Sequence, residues 1–140
     1  MQLYPYLTFS GNCQEAMKFY KKCLGGKLTL QTIGKSPMEN KFPGAMKKYV
    51  LHAALETKNF IMMASDMTPE PHLNKGNANS LLINCNSEKE IHTVFTNLSA
   101  GGLVNHSLKI NNNGALFGDF KDKFGNNWIL NFNRKILIKK

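Results

Sequence analysis

The side chains that could do chemistry in this chain are few, and the first of them is His52, in the stretch YVLHAALE at residues 49–56. Leu51, Ala53 and Leu55 there would form the apolar face of a strand, so His52 would point the other way with Val50 and Ala54. An imidazole so placed could act as a base, a hydrogen-bond donor or a lone metal ligand, or it could be hydrogen-bonded and structural. Asp66 ends a second strand-like stretch, residues 60–66; it could pair with His52, bind a ligand, or cap the turn that follows. Tyr6, Thr8, Ser80, Asn84 and Asn131 supply hydroxyls and amides that suit a small molecule with several oxygens. Edge strands facing water would show the same alternation. Trp128 is expected in core or rim packing, and Met62, Met63 and Met67 are expected to fill irregular core before lining an adaptable pocket.

Other chemistries lack their parts. There is no Gly-rich phosphate loop and no Ser–His–Asp arrangement. His72, His92 and His106 fall in a linker, a helix and a strand end, with no metal-like spacing. Cys13, Cys23 and Cys85 are odd in number and form no C-x-x-C, so reduced thiols in a cytoplasm are expected, with Cys85 inert on a buried strand face.

The elements that must position these groups come from one stretch used twice. Residues 4–26, YPYLTFSGNCQEAMKFYKKCLGG, alternate first, with Leu7 and Phe9 on one face and Tyr6 and Thr8 on the other. Asn12 is a good N-cap, and Ala16, Phe19, Tyr20 and Cys23 then recur at helical spacing. Gly25 and Gly26 can end the helix and let a strand begin at Lys27. A shift of 76 residues brings residues 80–102 into register, placing Leu7 on Ile83, Phe9 on Cys85, Phe19 on Phe95 and the glycine pair on Gly101 and Gly102. Ser87 with Glu90 three residues on is a capping-box pattern for the second helix, whose buried stripe is Ile91, Phe95 and Leu98.

Each copy is followed by two strand-like stretches around a tight turn, residues 49–56 and 60–66 in the first and 115–122 and 127–133 in the second. The pattern predicts a duplicated βαβββ half-domain in an α+β fold. The halves differ at residues 34–46, GKSPMENKFPGAM, a loop too long for a mere connector and expected to cover one end of the molecule. The expected division is a single domain over 1–140, with a first module at 1–66, a linker at 67–79, a second module at 80–134 and a basic tail at 135–140.

A chain of 140 residues with 42% hydrophobic and 19% charged residues is an ordinary globular domain. No apolar run approaches a membrane span, and the N-terminus has no secretory pattern. The formal net charge is +9, from 18 Lys and Arg against 9 Asp and Glu. Its lysines are spread over the chain, which reads as a solvated basic surface. An anionic ligand is compatible with it, and nothing resembling a recognition helix supports nucleic-acid binding.

Phe19-Tyr20 with a glycine pair beyond, and DKFGNNWILN from Asp122, resemble the vicinal oxygen chelate superfamily of glyoxalase I and the bleomycin-resistance proteins. YLTFSGN, the AMKFY helix, His52-Ala, Ala64-Ser-Asp66 and the Asp122 motif resemble its PhnB-like branch more closely, over essentially the full chain. The resemblance implies two βαβββ modules forming an open cup-shaped mixed sheet with helices outside, a ligand inside the cup, and a homodimer. It also implies four metal positions on the first and last strands of each module. Here they fall on Tyr4 or Pro5, on Ser80, on Ile61, Met62 or Met63, and on Ile129 with Asn131 beyond. No set of four donors survives, so the expectation is a small-molecule binder without the four-ligand metal centre and without a cofactor, its ligand contacts drawn from Tyr6, Thr8, His52, Asp66, Ser80 and Asn131. The alternative is a divalent-metal-dependent lyase, isomerase or dioxygenase with fewer or other ligands.

Overall fold

In the computed structural model, which describes residues 1–66 and 73–133, the chain divides into two compact units, Met1–Asn74 and Lys75–Lys140. Part of the expected linker and the expected basic tail, with Met67 and His72, lie outside the described residues.

The first unit runs β1 (Tyr6–Phe9), α1 (Cys13–Leu24), β2 (Lys27–Thr32), β3 (Val50–Glu56) and β4 (Ile61–Asp66). Its sheet has the order β1-β4-β3-β2, with β1 parallel to β4 and the other pairs antiparallel. α1 carries the chain from one edge to the other and packs over β2, β3 and β4. It buries Cys13, Ala16, Met17 and Tyr20, and on the sheet Phe9, Ala53, Leu55, Met62 and Ala64 are buried. Each large side chain removed from water in this way contributes about 1.5–3 kcal/mol, so this face fixes which way every strand is turned.

The expected apolar face of the third strand is corrected at its start. The pairing runs Gln31 to His52 and then Thr32 to Val50, so a bulge leaves Leu51 without a partner. The extra residue reverses the alternation, and Val50 rather than Leu51 is buried.

The second unit repeats the plan: β5 (Leu81–Asn84), α2 (Glu88–Ser99), β6 (Leu103–Ile110), β7 (Ala115–Lys121) and β8 (Asn127–Asn133), in the order β5-β8-β7-β6 with β5 parallel to β8. Ile91, Phe95 and Leu98 of α2 are buried, as are Leu116, Phe120, Trp128, Leu130 and Phe132 of the sheet. Phe95 meets Phe120 edge to face at 4.9 Å, over the gap left by Gly118.

Within residues 4–26 and 80–102 the 76-residue shift holds for the burial of the first strand and the start of the second, and slips by one in the helices. Leu7 and Phe9 match Ile83 and Cys85 in burial, yet Phe95 corresponds to the fully buried Tyr20, not to the half-buried Phe19. By their bounds both strand-to-helix junctions have three residues, 10–12 and 85–87, while the helix-to-strand turn has two in the first unit, 25–26, and three in the second, 100–102. The glycines of that turn are required by close approach. A Cβ on Gly26 (φ +95°) would lie 2.6 Å from the Glu56 carbonyl, and one on Gly102 would collide with the Lys121 carbonyl.

The two helices start differently. Ser87 Oγ accepts from Glu90 N at 3.0 Å, as the capping-box pattern predicts, while Glu90 Oε1 accepts from Asn86 N at 2.7 Å. Asn12 makes no side-chain cap on α1. That role is taken by a carboxylate from β4, described below.

Candidate functional site

Because α1 covers one face of the first sheet, alternation places Tyr6 and Thr8 of β1, Met63 and Ser65 of β4, and His52 and Ala54 of β3 on the face turned away from it. Tyr6 Oη donates to Ser65 Oγ at 2.9 Å, and Thr8 stands opposite Ser65 in the parallel ladder. His52 is exposed and stands opposite Gln31 on β2. The structure thus brings Tyr6, Thr8 and His52 to one surface.

Asp66 is elsewhere, and of the roles the sequence left open for it, the pairing with His52 is not made. It follows Met62 and Ala64 on the helix side of β4, where Oδ1 accepts from Gly11 N at 2.7 Å and Cys13 N at 3.1 Å, and Oδ2 from Val50 N at 2.8 Å. Both oxygens are engaged by backbone. The carboxylate caps α1, where the helix dipole favours negative charge, and ties the start of β3 to the end of β4. The turn that would follow Asp66 lies outside the described residues.

In the second unit, Asn131 Nδ2 donates to Asn84 Oδ1 at 3.0 Å across the β5–β8 ladder. Ser80 is exposed and lies just before β5, outside the strand. Trp128 is buried, and its Nε1 donates to Asp122 Oδ2 at 2.7 Å. Asp122 Oδ1 accepts from Phe124 N at 2.8 Å and Asn126 N at 3.1 Å. The DKFGNNW motif is therefore a turn built around a buried carboxylate. Cys85 is buried as expected. Burial, and second the charge of Glu90, push its thiol up from 9.0 to about 11, away from the reactive thiolate.

The pair that the sequence reading missed is His106 with Asp119. Gly118 and Phe120 face α2, so Asp119 faces away, and His106 Nδ1 lies 2.7 Å from its Oδ1. β6 pairs with β7 through two irregularities, on either side of His106. A simple alternation count along β6 could not place that imidazole opposite Asp119.

Three donors of metal type do not converge anywhere among the described residues. The positions that the resemblance assigned to metal are Tyr4 or Pro5, which precede β1, Ser80, which precedes β5, Ile61, Met62 or Met63 of β4, and Ile129 with Asn131 of β8. Apolar and hydroxyl side chains fit a divalent cation poorly.

A profile of the family described as 3-demethylubiquinone-9 3-methyltransferase matches residues 1–131. Protein YjdN of Escherichia coli (strain K12) is 28% identical over 94% of this chain and 95% of its own length. The crystal structure of protein PA1353 from Pseudomonas aeruginosa is 36% identical, covers 95% of this chain and 98% of its own, and superposes with a TM-score of 0.85. A PhnB protein from Bacillus cereus, described as a 3-demethylubiquinone-9 3-methyltransferase, is 26% identical over 94% of this chain and 99% of its own, with a TM-score of 0.77. At 12% identity and a TM-score of 0.63, a glyoxalase/bleomycin resistance protein/dioxygenase family enzyme from Burkholderia phytofirmans shares the fold, over 93% of this chain and 96% of its own.

Proposed function

We propose that this chain, which belongs to the family described as 3-demethylubiquinone-9 3-methyltransferase and to the PhnB-like branch of the glyoxalase/bleomycin-resistance/dioxygenase superfamily, binds a small oxygen-rich molecule on the face of its first sheet turned away from α1, without a four-ligand metal centre. The observation that carries the reading is the surface holding Tyr6, Thr8, Ser65 and His52 around the apolar Met63 and Ala54. Hydroxyls and an imidazole fix oxygens by direction, while the thioether and methyl groups give an adaptable apolar floor. In the second unit Asn131 offers an amide of the same kind, and Ser80 a hydroxyl. Asp66 contributes by holding α1 and β3 in place.

The test is a thermal-shift screen of small carboxylates, diols and phenols, with and without divalent metals, followed by His52→Ala and Tyr6→Phe on any compound that stabilises the protein. Both variants are expected to keep the parent melting temperature and to weaken that compound about tenfold. Unaltered affinity in both would refute the surface.

A second reading, a divalent-metal-dependent lyase, isomerase or dioxygenase, has in its favour the His106–Asp119 pair, two metal-type donors 2.7 Å apart. Metal analysis of protein purified without chelator separates the two readings: stoichiometric metal that disappears in His106→Ala would reverse their order. We also read the protein as a cytoplasmic homodimer. Among the described residues no disulfide joins Cys13, Cys23 or Cys85, and the edge strand β6 exposes Leu103, Val104 and Ile110, apolar side chains that a second chain could cover. Light scattering of the eluted peak tests the stoichiometry. Among the described residues no helix is long and apolar enough to cross a membrane.

A further inference from the structure

The long loop of the first unit is the largest departure from the duplicated plan, and what it builds lies on the opposite side of the sheet from the surface above. In the second unit the matching connection is a tight turn, where Gly114 N donates to Asn111 O. In the first it is three short 3-10 turns, Ile33–Lys35, Glu39–Lys41 and Gly44–Met46. Its neck continues the β2–β3 pairing: Ile33 N donates to Tyr49 O and Gly34 N to Lys47 O, both at 2.9 Å. The two arms touch because residue 34 is glycine. A Cβ there would lie 3.0 Å from Lys47 Cβ and 3.1 Å from its carbonyl oxygen.

That pinch brings Lys35, Lys47 and Lys48 to one concavity of about 490 Å³, completed by Gln14 of α1 and by Leu30, Thr32 and Gly34. Leu30 stands opposite the buried Ala53, which places the groove on the helix side of β2. The volume suits a small organic molecule. Three ammonium groups around one concavity repel each other and focus a positive potential into it. Lys47 meets Glu39 at 3.7 Å, an exposed pair of little strength. Among the described residues Lys35 and Lys48 form no ion pair. The dipole at the start of α1 is already met by Asp66, so any preference for an anion rests on the lysines.

We propose that this groove binds a small organic anion, its phosphate or carboxylate head on Lys35, Lys47 and Lys48 and its apolar body on Leu30. The assignment is independent of the function proposed above. The test is a titration of the isotope-labelled full chain, followed by amide NMR at low ionic strength, with phenyl phosphate, benzoate and inorganic phosphate. Saturable shifts confined to Thr32, Gly34, Lys35 and Lys48 are expected, with phenyl phosphate or benzoate tighter than inorganic phosphate. Lys35→Gln with Lys48→Gln should weaken binding about tenfold. Lys58→Gln with Lys89→Gln removes the same charge from the β3–β4 turn and from α2 and should leave binding unchanged; all four lysines are exposed, so folding is preserved. Shifts that do not saturate, or equal weakening in both double variants, would overturn the proposal and leave only the general attraction of a basic protein for anions.

Discussion

Replacing Asp66 by alanine removes one side chain and strands three backbone N–H groups, those of Gly11, Cys13 and Val50, now held at 2.7, 3.1 and 2.8 Å. Cys13 and Val50 are buried, while Gly11 and Asp66 are half-buried, so water can replace only part of what is lost. A hydrogen bond to a charged group is worth about 1.5–3 kcal/mol, and a carboxylate at a helix N-terminus adds about 0.5 kcal/mol. Crediting the two buried donors at the low end, Asp66→Ala is expected to cost about 3 kcal/mol. At about 2–4 °C per kcal/mol for a chain of this size, the melting temperature falls by about 6–12 °C. Asp66→Asn keeps a carbonyl oxygen for Gly11 and Cys13, but it turns an NH₂ toward Val50 N and loses the charge, so about half the cost is expected. Urea unfolding followed by far-ultraviolet circular dichroism measures all three proteins. An alanine variant within about 0.5 kcal/mol of the parent, the range of ordinary surface changes, would refute the capping role.

Asp122→Ala should cost about 3 kcal/mol or more, because it leaves Trp128 Nε1 and two turn N–H groups without their acceptor; the altered emission of the single tryptophan reports it alongside the urea midpoint. Cys85 should resist thiol reagents at pH 8. Its pKa is raised on folding, so between pH 9 and about 11 the unfolded chain loses a proton that the folded chain keeps. Its contribution to stability is therefore intact below pH 9 and lost as pH rises through that window, and Cys85→Ala should lose less stability between pH 8 and pH 10.5 than the parent. Gly26→Ala should be more costly than Gly25→Ala, by about 1–2 kcal/mol in thermal or urea melts, since both carry positive φ but only Gly26 faces a carbonyl at 2.6 Å.

Those costs also explain which features could be read from the chain. Local rules wrote the two helices, the hairpins and the Ser87 cap into neighbouring residues, and burial alternated with the expected period in β8. Where a partner is distant, the same rules run out. Asp66 finds Gly11 and Cys13 across separations of 55 and 53 residues, so the sequence offered it only His52, a ligand or a turn. One unpaired residue, Leu51, reverses the alternation at the start of β3, and the irregular pairing of β6 hides His106 from Asp119. The slip of Phe19 against Tyr20 is of the same kind, since one residue of offset between the first strand and the helix turns the helix by 100°.

The duplication provides its own control for separating fold from chemistry. Whatever both halves keep, they keep for packing: the strand order, the helix over one face, and the glycine that lets the second strand start against the end of the third. Differences between the halves escape that constraint. On the faces turned away from the helices, Tyr6, Thr8 and Ser65 stand in the first unit, while Asn84 and Asn131 stand in the second. The His106–Asp119 pair has no counterpart at His52, which faces Gln31. The lysine-lined groove has none at the tight turn of residues 111–114. None of these is needed to hold a βαβββ sheet together, because the opposite unit folds without it, and that is the physical reason to look for ligands at those places first.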